Sequence, residues 1–272
     1  MIYDCFTLRD ELDLLELRLD ILDDVVDKFV ISEANYTHKG YTKPYHFLEN
    51  RERFSKWADK IIYLPVDFED TITDRGINFH RKNEIKQEQW LLENQQRDAI
   101  LYGLEECNDD DIVFVGDLDE IPNLQNFPDK INGAVSFVQT FYYYYADNKS
   151  IGPKDEYWVG TVAANYKFLK SVSPQYLRDN RWSFTPFYNG GWHWSYFGGE
   201  NVVIKKIESI VEAEYLLSNN NLTMQKALDN FKNLKDFYDR PGMNFKLISL
   251  EDEYPTHILE YIKKYPKFIY NK

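Results

Sequence analysis

The chain has 272 residues, 43% of them hydrophobic, and a formal net charge of −13. That apolar share excludes a disordered protein, and the acidic balance excludes general binding to nucleic acid or anionic membranes, whose phosphates need basic patches. No basic leader with an apolar stretch opens the sequence, and no run is long enough to span a bilayer. The chain therefore reads as cytoplasmic, with no integral membrane segment, and its sequons at Asn35, Asn148 and Asn221 read as chance matches. Cys5 and Cys107 have no CxxC or Cys/His spacing and read as reduced core thiols.

Ile2 to Phe6 is strand-like, and Asp10-Glu11 opens a helix in which Leu12, Leu15, Leu19 and Leu22 recur at helical spacing. Lys28 to Ile31 reads as a second buried strand that runs into Ser32-Glu33-Ala34-Asn35. Asn50 to Trp57 reads as a short helix, and Lys60 to Leu64 as a third strand closed by Pro65. Residues 67–78 are unpatterned, and a long helix follows over about 81–106, with Leu92, Ala99, Ile100 and Leu104 on one face. Ile112-Val113-Phe114-Val115 is a continuous apolar run, the mark of a central parallel strand. Strands alternating with helices imply βαβ units. The expected fold is therefore α/β, a Rossmann-type, mainly parallel sheet flanked by helices.

Past Pro122, residues 133–146 and 157–169 read as aromatic antiparallel strands added to that sheet. Residues 178–200 read as an irregular loop, and 202–204 as a short strand. Thr223 is placed as N-cap of a helix whose Met224, Ala227, Leu228, Phe231, Leu234 and Tyr238 share a face, ended by Pro241-Gly242. The tail, residues 257–270, is expected to pack back on the body. One domain, 1–272, results: a βαβ half over 1–122, and an aromatic half with a C-terminal helical extension over 123–272.

The chemistry concentrates just beyond the fourth strand, at Asp117-Leu118-Asp119-Glu120. In extended backbone Asp117 and Asp119 point the same way, and two such carboxylates repel unless a cation or shared proton lies between them. A hard divalent ion, completed by substrate phosphates, resolves that repulsion; a solvated acidic loop is the plain alternative. Gly190-Gly191-Trp192-His193-Trp194-Ser195 sets glycines beside a rigid aromatic wall. His193 reads as a core histidine, a third metal ligand or a phosphate contact. Glu200, after Gly198-Gly199, reads as a general base or a solvated glutamate, with Glu156 its rival for the base. Lys205 reads as a phosphate contact or a surface lysine. Glu33 and Asn35 end the second strand beside the expected crevice and could read a base or ribose. Arg97 reads as a helix-surface ion pair or a ligand contact.

Residues 32–37, 110–122 and 191–195 together resemble glycosyltransferase family 17, the family of β-1,4-mannosyl-glycoprotein N-acetylglucosaminyltransferases, in the same order along nearly the whole chain. The resemblance implies a GT-A-like fold with a nucleotide-binding half over 1–122 and an acceptor half over 123–272, a nucleotide-sugar donor (UDP-GlcNAc in the animal members), a divalent metal, Mn²⁺ or Mg²⁺, and inversion at the anomeric carbon. It places Asp117 and Asp119 on the metal motif, Trp192 and His193 on the Gly-Trp-His block, and Glu200 and Lys205 on the downstream Glu and Lys. The expected partners are then a nucleotide-sugar donor, gripped by Glu33, Asn35, Arg97, Asp117, Lys205 and Trp192, and a glycan acceptor. Two rivals remain: an acid–x–acid phosphatase and a non-catalytic carbohydrate-binding protein. The first fits poorly with a motif on the fourth strand, the second with a carboxylate pair at a strand end.

Overall fold

The computed structural model describes residues 1–68, 90–152, 156–209 and 211–270. β1 (Ile2–Leu8) and β2 (Lys28–Ala34) are parallel neighbours joined through helix α1 (Leu12–Leu22). β3 (Ile61–Val66) pairs parallel with β2, and β4 (Ile112–Asp117) pairs parallel with the other side of β1. These are the βαβ units that the alternating apolar runs require. Among the described strands β3 ends that side of the sheet, and Pro65 lies inside it instead of closing it. An edge strand tolerates a missing ladder donor.

The expected helix over 81–106 falls partly outside the described residues, as does most of the 67–78 loop. From Leu91 the chain forms α2 (Leu91–Asp98), which tightens into a 3-10 turn over Ala99–Gly103. α2 buries Leu92, Gln96 and Arg97. β4 is followed by the short β5 (Glu120–Pro122), then β6 (Ala134–Tyr143), β7 (Asn148–Ser150) and β8 (Tyr157–Asn165). β8 is antiparallel to both β4 and β6, so the sheet changes from parallel to mixed where the aromatic runs begin.

Residues 178–200 are ordered structure, not the irregular loop their composition suggested. After α3 (Pro174–Asp179) come β9 (Thr185–Phe187), parallel to β6, and β10 (Gly191–Ser195), which bridges β6 and β5. Its side chains alternate with a period of two. Trp192 and Trp194 join the main apolar core with ring centroids 6.1 Å apart, while His193 and Ser195 face a cleft. Residues 202–204 belong to helix α4 (Glu200–Ser209), not to a strand. Val203 and Ile207 are four apart and both buried, and that packing overrides β-branched propensity.

Thr223 does cap α5 (Met224–Lys232), its Oγ1 accepting from the Lys226 N–H at 3.2 Å. The helix stops short of Tyr238, because Leu234 takes a φ of 55°. β11 (Phe245–Leu247) adds to β7. The tail packs back as expected: α6 (Thr256–Lys263) places Ile258, Leu259 and Ile262 in one apolar cluster with the leucines of α1. That cover explains why α1 buries Leu14 and Leu17 in addition to the expected Leu15, Leu19 and Leu22, while Leu12 is only partly buried. Cys5 and Cys107 are free thiols. Among the described residues no helix is long and apolar enough to cross a membrane.

Candidate functional site

A cleft of about 750 Å³ opens where β1 and β4 end, with Thr7, Leu8, Asp117 and Asp119 in its lining. Open α/β sheets bind their ligands at such carboxyl ends, and the volume is that of a small-molecule site. The acid–x–acid run is not extended throughout: β4 ends at Asp117 and the chain turns through Leu118 and Asp119 before β5. Arg18 of α1, fully buried, holds this turn from beneath. Its Nη1 donates to the carbonyl oxygens of Asp117 (2.9 Å), Leu118 (3.1 Å) and Glu120 (3.0 Å). Its Nε and Nη2 donate to the buried Asp4 carboxylate at 2.8 and 2.7 Å.

Glu120 is the hub behind the turn. Its carboxylate, wholly buried, accepts from the Asp117 N–H at 3.0 Å, Trp158 Nε1 at 2.6 Å and Arg178 Nη1 at 2.6 Å. Two glycines make room for it. A Cβ on Gly116 would stand 3.2 Å from Glu120 Oε2, and one on Gly160 would stand 2.8 Å from its carboxyl carbon.

The two aspartates are handled differently. Asp117 accepts from Arg97 Nη2 at 2.8 Å on one oxygen and from Arg178 Nη2 at 2.7 Å on the other. Burial alone would raise its pKa, but the Arg178 and Arg97 charges outweigh burial and hold it well below the usual carboxylate range. Asp119 accepts from Lys206 Nζ at 2.7 Å on Oδ2, and its Oδ1 lies 3.6 Å from His193 Nε2. Burial again opposes ionisation, and Lys206 and His193 again prevail and push the carboxyl well down. His193 is wedged between Phe141, stacked at 4.9 Å, and Trp158, at 4.6 Å, so its ring orientation is fixed.

Asp119 Oδ1 and His193 Nε2 are the oxygen and nitrogen donors that a divalent ion can share, at a separation compatible with two ligands of one ion. No group of three or more His, Cys, Asp or Glu side chains suited to a metal occurs among the described residues. A Mn²⁺ or Mg²⁺ ion fits this pair only as ions bound largely through substrate phosphates and water do. Asp117, with both oxygens on guanidinium groups, is not a third donor in this arrangement.

Of the residues singled out in the sequence, the structure brings Arg97, Asp117, Asp119 and His193 to the cleft lining. Arg97 is 1% exposed, an ion pair but a buried one that faces the site. The others lie off the lining. Glu33 is fully buried and accepts from Lys43 Nζ, the His46 and Phe47 N–H groups and Tyr63 Oη, so it anchors residues 43–47. Asn35 ties down Asp67 and Phe68. Trp192 faces the core, Lys205 the exposed side of α4, and Glu156 is exposed. Glu200 opens α4 with a 41% exposed side chain, 3.6 Å from Lys232.

Sequence reasoning passed over Arg18, Glu120, Arg178 and Lys206. One of them left a signal: Arg18 interrupts a leucine-rich helix at a position flanked by Leu17 and Leu19. Lys206 was hidden by the strand reading, which turns the wrong neighbour inward.

Comparison with known proteins agrees with the motif pattern. The model for the family described as Glycosyltransferase family 17 matches residues 1–197. Similar proteins include the β-1,4-mannosyl-glycoprotein 4-β-N-acetylglucosaminyltransferases of Rattus norvegicus and Homo sapiens, each 28% identical over 127 residues. The match covers 44% of this chain but only 21% of the rat protein and 22% of the human one.

Proposed function

Because the chain belongs to glycosyltransferase family 17, and so is a glycosyltransferase, we propose that it moves N-acetylglucosamine from UDP-GlcNAc to a hydroxyl of a glycan, with inversion and with Mn²⁺ or Mg²⁺ at Asp119 and His193. The observation that carries this reading is the Asp119–His193 pair, 3.6 Å apart at the carboxyl end of the parallel strands. The relatives' names, which specify N-acetylglucosamine transfer to a mannosyl glycoprotein, support the sugar. A bound divalent ion supplies positive charge to a diphosphate as it leaves.

The chain's own residues do the rest. Lys206 keeps Asp119 ionised, and the Trp194 N–H, donating to the Asp119 carbonyl at 2.8 Å, fixes its backbone. Arg97 and Arg178 hold Asp117 against the turn. Phe141, Tyr143 and Trp158 line the cleft and exclude water that would compete with the acceptor. Taking the acceptor proton requires a carboxylate in the cleft whose oxygens no cation contacts. Among the described lining carboxylates, Asp179 meets that condition: it accepts from Gln175 Nε2 at 2.9 Å, and no cation contacts it among the described residues. The phosphatase alternative needs a free first aspartate as nucleophile, and both Asp117 oxygens accept from arginine.

The test is release of UDP from UDP-GlcNAc, with and without Mn²⁺, for the wild type and Asp119→Asn. Metal-dependent release that the variant loses while melting normally supports the proposal. Equal release by both proteins across a metal titration refutes the metal assignment, and turnover of other nucleotide sugars alone refutes the donor.

A further inference from the structure

The cationic side chains that line the cleft are almost all neutralised by direct contact. Arg9 meets Asp10 and Glu11, Lys43 meets Glu33, and Lys206 meets Asp119. Arg97, Arg178 and Arg240 likewise touch carboxylates. Arg181 is the exception: it lines the cleft, and no carboxylate contacts it among the described residues.

Its guanidinium is nevertheless held firmly in place. Nε donates to the Val159 carbonyl at 2.9 Å and Nη1 to the Arg178 carbonyl at 2.7 Å. Its Cζ stands over two indoles, 5.8 Å from the centre of Trp158 inside the cleft and 5.6 Å from that of Trp182, which is 65% exposed at the surface. Two anchored nitrogens and two aromatic faces preorganise the group and leave Nη2 with no partner among the described residues. Burial and the neighbouring Arg178 charge both push the Arg181 pKa down, which means the cation is poorly compensated as it stands. A fixed, partly buried guanidinium that no described carboxylate contacts, in a small-molecule cleft, is the arrangement that selects an anion able to accept in its plane.

We propose that Arg181 binds a phosphate group of the substrate. On the glycosyltransferase reading, on which this rests, that phosphate belongs to the donor diphosphate. Trp158 links the two halves of the assignment, since its ring lies 4.6 Å from His193 and 5.8 Å from Arg181, placing the guanidinium one aromatic ring away from the Asp119–His193 pair.

The experiment is calorimetric titration of inorganic pyrophosphate, UDP and uridine into the wild type, Arg181→Met and Arg181→Lys. A hydrogen bond to a charged group is worth roughly 10- to 100-fold in affinity. Arg181→Met should therefore lose about that much for UDP and pyrophosphate while uridine binds unchanged, and lysine should restore part of the loss. The UDP affinity of the wild type should also fall more steeply with salt than that of the methionine variant. Should methionine lower the melting temperature, Arg181→Gln, which keeps donors for the Val159 and Arg178 carbonyls without the charge, decides the matter by the same titrations. Equal affinities for UDP and pyrophosphate in wild type and charge-free variant overturn the assignment, as does a parallel loss for uridine. If the anion instead belonged to an acidic acceptor, phosphate ligands would bind all variants alike. A wild type that binds neither pyrophosphate nor UDP, GDP or ADP overturns the donor reading itself, and Arg181 with it.

Discussion

Arg18→Met is the most informative single change, because it keeps the side chain's length while removing every polar contact beneath the acidic turn. The substitution strips both Asp4 oxygens of their donors, at 2.8 and 2.7 Å, inside a core where Arg18 and Asp4 are each 0% exposed. It also removes the donor shared by three carbonyls of the Asp117–Glu120 turn. Breaking a buried ion pair from one side costs about 3–5 kcal/mol, since a charge is left uncompensated in the interior. For a chain of this size roughly 2–4 °C accompany each kcal/mol, so melting should fall by about 6–20 °C. Asp4→Asn in the same background removes the stranded charge, and the double variant should recover a substantial part of the loss. That non-additivity is what a double-mutant cycle measures. Even where the single variant is fully folded by circular dichroism, UDP-sugar turnover should drop, because the turn carrying Asp117 and Asp119 has lost its clamp. Additive effects of the two substitutions, or a methionine variant with wild-type melting and turnover, would refute the reasoning.

The remaining predictions concern the acids. Glu200→Gln should leave turnover within about twofold, whereas Asp179→Asn should lower it by the roughly 10²–10⁴-fold typical of a general base, without weakening UDP binding. Single-turnover transfer beside calorimetry on both variants checks this, and the reverse ranking would return the base to Glu200. Asp117 and Asp119 are both held below the usual carboxylate range, so the folded protein binds fewer protons than the unfolded chain in the acid region. Their contribution to stability is then complete above the unfolded-state value near ~3.9 and is lost as the pH falls through and below it. Asp117→Asn should therefore flatten the acid limb of a plot of urea midpoint against pH, and an unchanged slope would show that Asp117 does not carry it.

The parallel half of the sheet was legible because buried parallel strands are continuous apolar runs, and Ile112 to Val115 or Phe29 to Ile31 admit few other readings. The run around β10 was not, since Gly-Gly-Trp-His-Trp looks like a loop until Trp192 and Trp194 have a core to enter. Segment 202–204 failed for the opposite reason: its local preference was clear, and tertiary packing of Val203 and Ile207 reversed it. In the site, Asp117 and Asp119 were legible because acids that follow a buried strand must end up at its carboxyl end. Their partners come from residues 18 to 206, and no local pattern reports a contact across such separations.

That gap changes the reason for a metal. From sequence, a divalent ion is called for because two same-facing carboxylates repel. In the folded chain the repulsion is already answered: Asp117 lies against Arg97 and Arg178, and Asp119 against Lys206. The pair does not need an ion in order to be stable. What lacks compensation is the diphosphate that the proposed donor would bring, for which the described lining of the cleft offers Arg181, a guanidinium that no carboxylate contacts among the described residues. On the proposed reading, charge demand therefore arrives with the substrate, and an ion seated on Asp119 Oδ1 and His193 Nε2 would be held chiefly by the phosphates it neutralises. The cations around the aspartates serve a different end: they keep both carboxylates ionised and oriented, so that the oxygen facing His193 is ready before any ligand enters.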